Sequence, residues 1–233
     1  MNTVLHNTFV AILAAGTLGG MVNAQAADNF NINVTGIISP AACEANIAGG
    51  DIIDYGTIPV STLSVDEETV LEAKHTGFTI TCDSPAKIAY RVIDNRSGTV
   101  ELPPGTRMNV LGISIDGQWF MGLGTDRAGN KIGGWVGQLA SVTTDTAADI
   151  TYIGSNDNGV TWEHTTNQTG SLFLNNSGWP LRSVSASGMI TPLSFSKLNA
   201  MLDIQAVIAP ASTLDLSQPV TLDGSVTVEM VYL

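Results

Sequence analysis

Few side chains in this 233-residue sequence have the types and spacings that catalysis needs. There is no G-x-S-x-G, P-loop or zinc motif, and the run Gly122-Leu123-Gly124 fails the dinucleotide pattern because Arg127 stands at the third glycine position. A Ser–His–Asp site could be assembled around His75 or His164, but nothing in the spacing selects a partner for either. The sequence therefore predicts a protein that is not an enzyme and that holds no cofactor or metal.

Two further groups could bind a ligand, and each has a simpler structural interpretation. The Asp157-Asn158-Gly159 loop could hold calcium, but these residue types are also typical of a hairpin turn, which we favour. Four tryptophans could form a platform for stacking sugars, although filling a core is the favoured role. They are Trp119, Trp135, Trp162 and Trp179. The acidic run Asp66-Glu67-Glu68 is interpreted as a solvated face.

Cys43 and Cys82 are the only cysteines. An even number of cysteines in an exported protein indicates a disulfide, and closing a loop of about 40 residues would stabilise the fold by about 4 kcal/mol through loop-closure entropy. A metal pair or a reactive thiol are the alternatives. Metal ligation would need nearby partners, and the sequence has no CxxC or HExxH spacing. We predict the Cys43–Cys82 disulfide.

The composition excludes several classes of protein. The chain is 44% hydrophobic and 13% charged, with 24 Gly, 9 Pro and a formal net charge of −12. This acidity argues against nucleic-acid binding, which needs a surplus of Lys and Arg, and against docking on anionic lipid. Abundant β-branched residues, Gly and Pro favour strands and turns. The sequence predicts an all-β protein.

The first 26 residues have the pattern of a targeting segment. Residues 9–22 form an uncharged, mostly apolar run of about 14 residues, which is shorter than the roughly 20 that span a bilayer. Ala24-Gln25-Ala26 is an A-x-A site, so residues 1–26 are predicted to be a signal peptide cleaved between Ala26 and Ala27. A buried N-terminal helix is the alternative, and the segment preceding the run contains no Lys or Arg.

Short alternating strands and turn signals follow along the rest of the chain. Residues 30–36 alternate apolar and polar positions, residues 51–60 have strand composition, and the last strand places Val226, Val228, Met230 and Tyr232 on one face. We expect a turn at Asp83-Ser84-Pro85 and hairpin turns at Asp116-Gly117 and at residues 154–159. This spacing predicts a single β-sandwich over residues 39–233.

Four features in this order resemble a chaperone–usher fimbrial subunit. They are the signal peptide, an alternating N-terminal stretch, two cysteines about 40 residues apart, and a C-terminal alternating strand with a penultimate tyrosine. The runs that carry the resemblance are Val34 to Cys43 (VTGIISPAAC), Gly77 to Cys82 (GFTITC) and Gly224 to Leu233 (GSVTVEMVYL). The chain is longer than an ordinary major pilin, which points to a divergent branch of this family.

The resemblance implies an incomplete immunoglobulin-like β-sandwich, completed by a donor strand from a neighbouring subunit or from a periplasmic chaperone. Residues 27–38 would be the donor-strand extension, with Phe30, Ile32, Val34 and Gly36 entering the next subunit. Val226, Val228, Met230, Tyr232 and Leu233 would form the groove-edge strand that the chaperone recognises. The implied partners are neighbouring subunits, a periplasmic chaperone and an outer-membrane usher, with export through the periplasm to a fimbrium on the cell surface.

Two functions from different classes therefore compete. The first is a structural subunit polymerised by donor-strand exchange, which supports adhesion. The second is a binding protein, either a fimbrial tip adhesin with a host or surface receptor or a free carbohydrate-binding sandwich. A two-domain adhesin would need a longer chain, and a free sandwich would not need the apolar N-terminal stretch, so we favour the structural subunit.

Overall fold

The computed structural model describes residues 34–35, 41–102, 105–165, 171–174 and 180–233. By its internal contacts the chain divides into Met1–Ser39 and Pro40–Leu233. The predicted signal peptide with its cleavage site at Ala26 and Ala27, the predicted donor residues Phe30, Ile32 and Gly36, and Trp179 lie outside the described ranges. No helix in the described ranges is long and apolar enough to cross a membrane.

The described part of the chain is built from antiparallel strands, which confirms the all-β prediction. Three short 3-10 turns, Val60–Thr62, Gly117–Trp119 and Ala211–Thr213, are its helical elements. The strands are β1 (Cys43–Ile47), β2 (Thr69–Val70), β3 (Lys74–Asp94), β4 (Arg107–Val110), β5 (Ile113–Asp116), β6 (Met121–Gly122), β7 (Gly133–Thr144), β8 (Ile150–Ser155), β9 (Glu163–His164), β10 (Ser171–Leu174), β11 (Leu181–Ala186), β12 (Ser194–Ile208) and β13 (Val226–Tyr232).

One long strand, β3, organises the sheet. Its first part pairs with β1 and β12, and its second part pairs with β13 and β11. The full order is β10-β7-β12-β3-β11-β8-β9, with β2 added to β12 and β6 added to β7. Because β3 changes partners along its length, the sheet curls and its apolar faces enclose a core.

The turn expected at Asp83-Ser84-Pro85 is absent, so that prediction was wrong. β3 runs through these three exposed residues without interruption. A register shift between Phe195 and Lys197 on β12 lies opposite them. Proline cannot donate to a strand ladder, and an irregularity of this kind lets the ladder pass such a residue.

The main core lies inside the curled sheet. Ile80, Ile88, Leu139, Phe195 and Leu202 are among its buried side chains. They come from β3, β7 and β12, and the register shift after Phe195 lets Phe195 and Leu202 of β12 both reach the core.

A second, smaller core forms beneath the β4–β5 hairpin, and the sequence did not predict it. Its buried members are Leu102, Val110, Ile115, Phe120, Val136 and Val207. The hairpin turns at Leu111-Gly112, which have φ values of 51° and 78°, and not at Asp116-Gly117 as expected. Positive φ at both central residues is typical of the tight hairpin turn. Asp116 instead caps the following 3-10 turn by accepting a hydrogen bond from the Gln118 backbone N–H.

Candidate strand-binding groove

The Cys43–Cys82 disulfide fixes one rim of the candidate site. The two residues lie opposite each other in the pairing of β1 with β3 and are 39 residues apart in sequence. This confirms the predicted disulfide. β1 is thereby attached covalently to the strand that organises the sheet.

β13 forms the other rim, at the position that its alternating pattern predicted. It pairs with β3 from Val226 opposite Asp94 to Tyr232 opposite Ile88. The apolar side chains of its alternating face remain half-buried or exposed: Val228 is 43% exposed and Tyr232 is 49% exposed. A strand enclosed by the core would bury such residues, so β13 lies at the margin of an opening into the core.

Each rim strand has one backbone edge that pairs with no other strand among the described residues. Next to β1, the Ala42 carbonyl accepts from the Asp83 N–H, and the Ala48 N–H donates to the Gly77 carbonyl. The even-numbered residues of β1 therefore form the backbone hydrogen bonds to β3. The odd-numbered residues Ala45 and Ile47 direct their backbone N–H and C=O groups away from β3. At the two ends of β13, the Ser225 carbonyl accepts from the Asn95 N–H, and the Leu233 N–H donates to the Lys87 carbonyl. The even-numbered residues of β13 therefore direct their backbone N–H and C=O groups away from β3. Neither strand pairs with anything except β3 within the described residues. In the part of the chain that the structure describes, two edges without a strand partner therefore border the opening.

An open apolar groove of about 570 Å³ lies between these rims. Its floor includes core side chains of β3, β7 and β12, and its ends include residues from the segments before β2 and before β13. The residues that line it are Ala45, Ile47, Asp51, Ile53, Tyr55, Phe78, Ile80, Tyr90, Leu123, Trp135, Leu139, Leu202, Ile204, Ala206, Leu222, Gly224, Ser225, Val226, Val228 and Met230. Such a groove can bind an extended chain by main-chain hydrogen bonds with alternate side chains in pockets.

A second cavity of about 420 Å³ continues the groove past the start of β13. The two share Ile53, Tyr55 and Leu222. The Tyr55 hydroxyl accepts a hydrogen bond from the Ala206 N–H at 3.1 Å, and burial raises the pKa of this phenol. Lys74 Nζ lies 5.5 Å from the centre of the Tyr55 ring, within cation–π range.

The segment that carries Tyr55 was predicted as a strand over residues 51–60, and that prediction was wrong. Residues 51–59 contain no strand. Ile53 and Tyr55 still pack against the main core. Strand composition alone could not report whether the backbone of this segment had a pairing partner.

The floor of the groove contains one strongly polar contact. Tyr90 is buried and hydrogen-bonded to Arg182, whose exposed fraction is only 4%. Burial raises the pKa of the Tyr90 hydroxyl, and the Arg182 charge opposes this effect. Burial also lowers the pKa of Arg182. The pair is positioned to fix β11 against the second part of β3, where Arg182 lies opposite Tyr90.

Other polar clusters lie outside the groove. Asp203 binds His75 Nδ1 at 2.6 Å and accepts from Gln138 Nε2 at 3.1 Å. A hairpin connection between β8 and β9 is confirmed, but it spans residues 156–162 and not 154–159, because Gly154 and Ser155 are still in β8. Its Asp157 oxygens accept from Thr161 and Ser155, so they hold the turn itself. Over the described ranges, no three His, Cys, Asp or Glu side chains come close enough to hold a metal ion.

The tryptophans divide between the core and its margins. Trp135 is buried, lines the groove and donates from Nε1 to the Gly122 carbonyl at 3.2 Å. Trp119 is half-buried against the second core, and Trp162 is half-buried beside its own loop, with Nε1 donating to the Gly159 carbonyl. Of the predicted donor residues, Val34 is described, and it is 94% exposed.

Comparison with known proteins gives similarity without an assigned activity. Residues 32–136 match the family model described as "Protein of unknown function (DUF1120)". The chain is 26% identical over 245 residues to the "Uncharacterized protein YhcF" of Escherichia coli (strain K12), an alignment that covers 96% of this chain and 99% of that protein. It is also 26% identical over 257 residues to "Protein GltF" of the same strain, covering 97% of each chain. The similarity therefore extends beyond the matched family region into the half of the chain that contains β13.

Proposed function

We propose that this protein is a structural subunit of a bacterial surface fimbria, exported to the periplasm and polymerised by donor-strand exchange. In this proposal the body is an incomplete immunoglobulin-like sandwich. The observation that carries it is the apolar groove between β1 and β13, because both of its rims present free strand edges. An added strand would satisfy those edges and cover the exposed core at the same time.

The occupant that we infer is the N-terminal extension of a second copy or of a related subunit. Residues 30–36 alternate Phe30, Ile32 and Val34 with polar residues over seven positions, and β13 also spans seven residues. Burying the three apolar side chains would contribute roughly 1.5–3 kcal/mol each. The near-complete exposure of Val34 is in keeping with a side chain that is reserved for another molecule.

The same groove supports the need for a periplasmic chaperone. An open core with two unpaired edges is a template for aggregation until a strand covers it. A chaperone strand would occupy the groove during export, and the usher would exchange it for the extension of the next subunit. Fimbrial assembly on the cell surface follows from this order of events.

A peptide-binding measurement tests the proposal. The mature chain, residues 27–233, would carry Ile32→Asp and Val34→Asp so that it cannot donate its own extension. We expect a synthetic peptide of residues 27–38 to bind this chain and raise its unfolding temperature. The same peptide with Ile32→Asp and Val34→Asp should bind at least about 100-fold more weakly, because charged groups would enter an apolar groove. Equal binding of both peptides, or binding of neither, would contradict the proposal.

A further inference from the structure

We propose that the hydroxyl of Tyr232 is a positioning group that closes one end of the groove, by holding the first outward-facing amide of β1 and ending the strand ladder there. The Cys43 N–H donates to Tyr232 Oη at 2.8 Å across 189 residues of sequence. Among the described residues, this is the one direct hydrogen bond between β1 and β13, since each strand otherwise pairs with β3.

The bond between Cys43 and Tyr232 occupies a backbone amide that an added strand could otherwise use, which the disulfide does not do. Cys43, Ala45 and Ile47 direct their backbone groups away from β3, so each could form a rung with an added strand. The Tyr232 hydroxyl already occupies the amide of Cys43. A strand entering the groove therefore finds Ala45 and Ile47 open on this rim, and it must stop before Cys43.

The residues that line the groove indicate that it ends next to Cys43 and Tyr232. Ala45 and Ile47 line it from β1, and Met230 lines it from β13, whereas Cys43 and Tyr232 are not among its lining residues. The disulfide fixes β1 to β3 on one side of Cys43, and the tyrosine hydroxyl fixes β1 to β13 on the other. Together they hold the two rims at a set separation where they meet.

The test compares two tyrosine-to-phenylalanine changes in the non-donating mature chain. Tyr232→Phe keeps the ring and removes the hydroxyl. Tyr152→Phe is the matched control, because the Tyr152 hydroxyl is likewise hydrogen-bonded to backbone, at Val142, but Tyr152 does not line the groove. Amide hydrogen exchange at Cys43 reports on the bond without any ligand. Binding of the peptide of residues 27–38 reports on the groove.

We expect Tyr232→Phe to accelerate exchange of the Cys43 amide and to weaken peptide binding by about 3- to 10-fold, the range for loss of one hydrogen bond. Tyr152→Phe should change neither. Unchanged Cys43 exchange, or unchanged peptide affinity in Tyr232→Phe, would overturn the proposal. The affinity measurement rests on the proposed function, so a peptide that fails to bind the parent chain contradicts that function, and the role of Tyr232 is then decided by Cys43 exchange.

Discussion

Single aspartates hold the irregular loops of this protein in place. Asp126 is buried and accepts hydrogen bonds from the backbone of Asp215 and from Asn130, which ties two distant loops together. These bonds lower the pKa of Asp126. Asp223 forms a bidentate pair with Arg96 at 2.8 Å for both contacts, and this pair lowers the pKa of Asp223. A chain with long irregular segments thus depends on ionised carboxylates.

The pH dependence of stability follows from these carboxylates. Hydrogen bonds from Thr161, followed by those from Ser155, lower the pKa of Asp157 to about 2. A carboxyl with a lowered pKa in the folded state stabilises the fold fully above its unfolded pKa of about 4, and this contribution is lost as the pH falls toward about 2. We expect Asp157→Asn to lower the unfolding temperature at pH 5 and to reduce its fall between pH 4 and pH 2.

The measurement is thermal unfolding followed by circular dichroism at several pH values. Asp66→Asn is a suitable control. Asp66 is exposed in the acidic run, and it takes no part in the described hydrogen bonds that Asp157 accepts. If Asp157→Asn and the parent chain lose stability in parallel from pH 4 to pH 2, the carboxylate of Asp157 does not hold its loop as described.

Among the contacts of single residues, the disulfide could be predicted from the sequence, whereas the long-range hydrogen bonds could not. The disulfide was predictable because the chain has only two cysteines. The bond between Tyr232 and Cys43 and the place of Tyr55 in the groove were not predictable. Each depends on the meeting of segments more than 140 residues apart, and no local pattern encodes such a meeting.

The C-terminal strand β13 is the element on which recognition by a chaperone would depend. Its last residue, Tyr232, and the following Leu233 are exposed, and the Leu233 N–H donates to the Lys87 carbonyl at 3.1 Å. We expect deletion of these two residues to lower the amount of subunit recovered from the periplasm with its chaperone by at least about fivefold. The loss is expected because the deletion removes both the bond from the Cys43 N–H to the Tyr232 hydroxyl and the bond from the Leu233 N–H to the Lys87 carbonyl.

Recovery of the subunit–chaperone complex by affinity purification is the measurement. A matched control removes the same number of residues, Ala27-Asp28, from the start of the mature chain. Normal recovery of the chain that lacks Tyr232 and Leu233 would show that β13 does not carry this recognition.

Strands with strong alternation were the elements that the sequence predicted well, and β13 is the clearest case. Predictions from turn chemistry were less reliable. Asp116-Gly117 has the composition of a hairpin turn, yet Leu111-Gly112 forms the turn. Turning at Leu111 places Val110 and Ile115 in the second core, so burial of apolar side chains decided between two locally acceptable turns.

The whole molecule, in the function proposed above, combines a body that has an open groove with an N-terminal stretch that fills the groove of a neighbour. The body has a formed core beside an open groove, and the alternating stretch at residues 30–36 carries the side chains to fill such a groove. The all-β class that the sequence predicted is confirmed, and the donor role of residues 30–36 stays a prediction. The sequence could not predict the length of the groove, since that depends on Ile53, Tyr55 and Leu222 packing from irregular segments.

The formation of fibres by a Val34 variant tests whether the N-terminal stretch is donated to a neighbouring subunit. Val34→Asp places a carboxylate where the account puts an apolar anchor, and Thr35→Asp adds the same charge one residue later, on the opposite face of the stretch. Each variant would be produced with its chaperone and usher, and both the periplasmic subunit and the surface fibres would be quantified.

The account predicts that Val34→Asp leaves the folded, chaperone-bound subunit at its normal level and abolishes fibres, while Thr35→Asp retains both. If Val34 instead belongs to the core of its own molecule, as in a free sandwich, Val34→Asp will remove the folded subunit from the periplasm, and that result would contradict the donor-strand account.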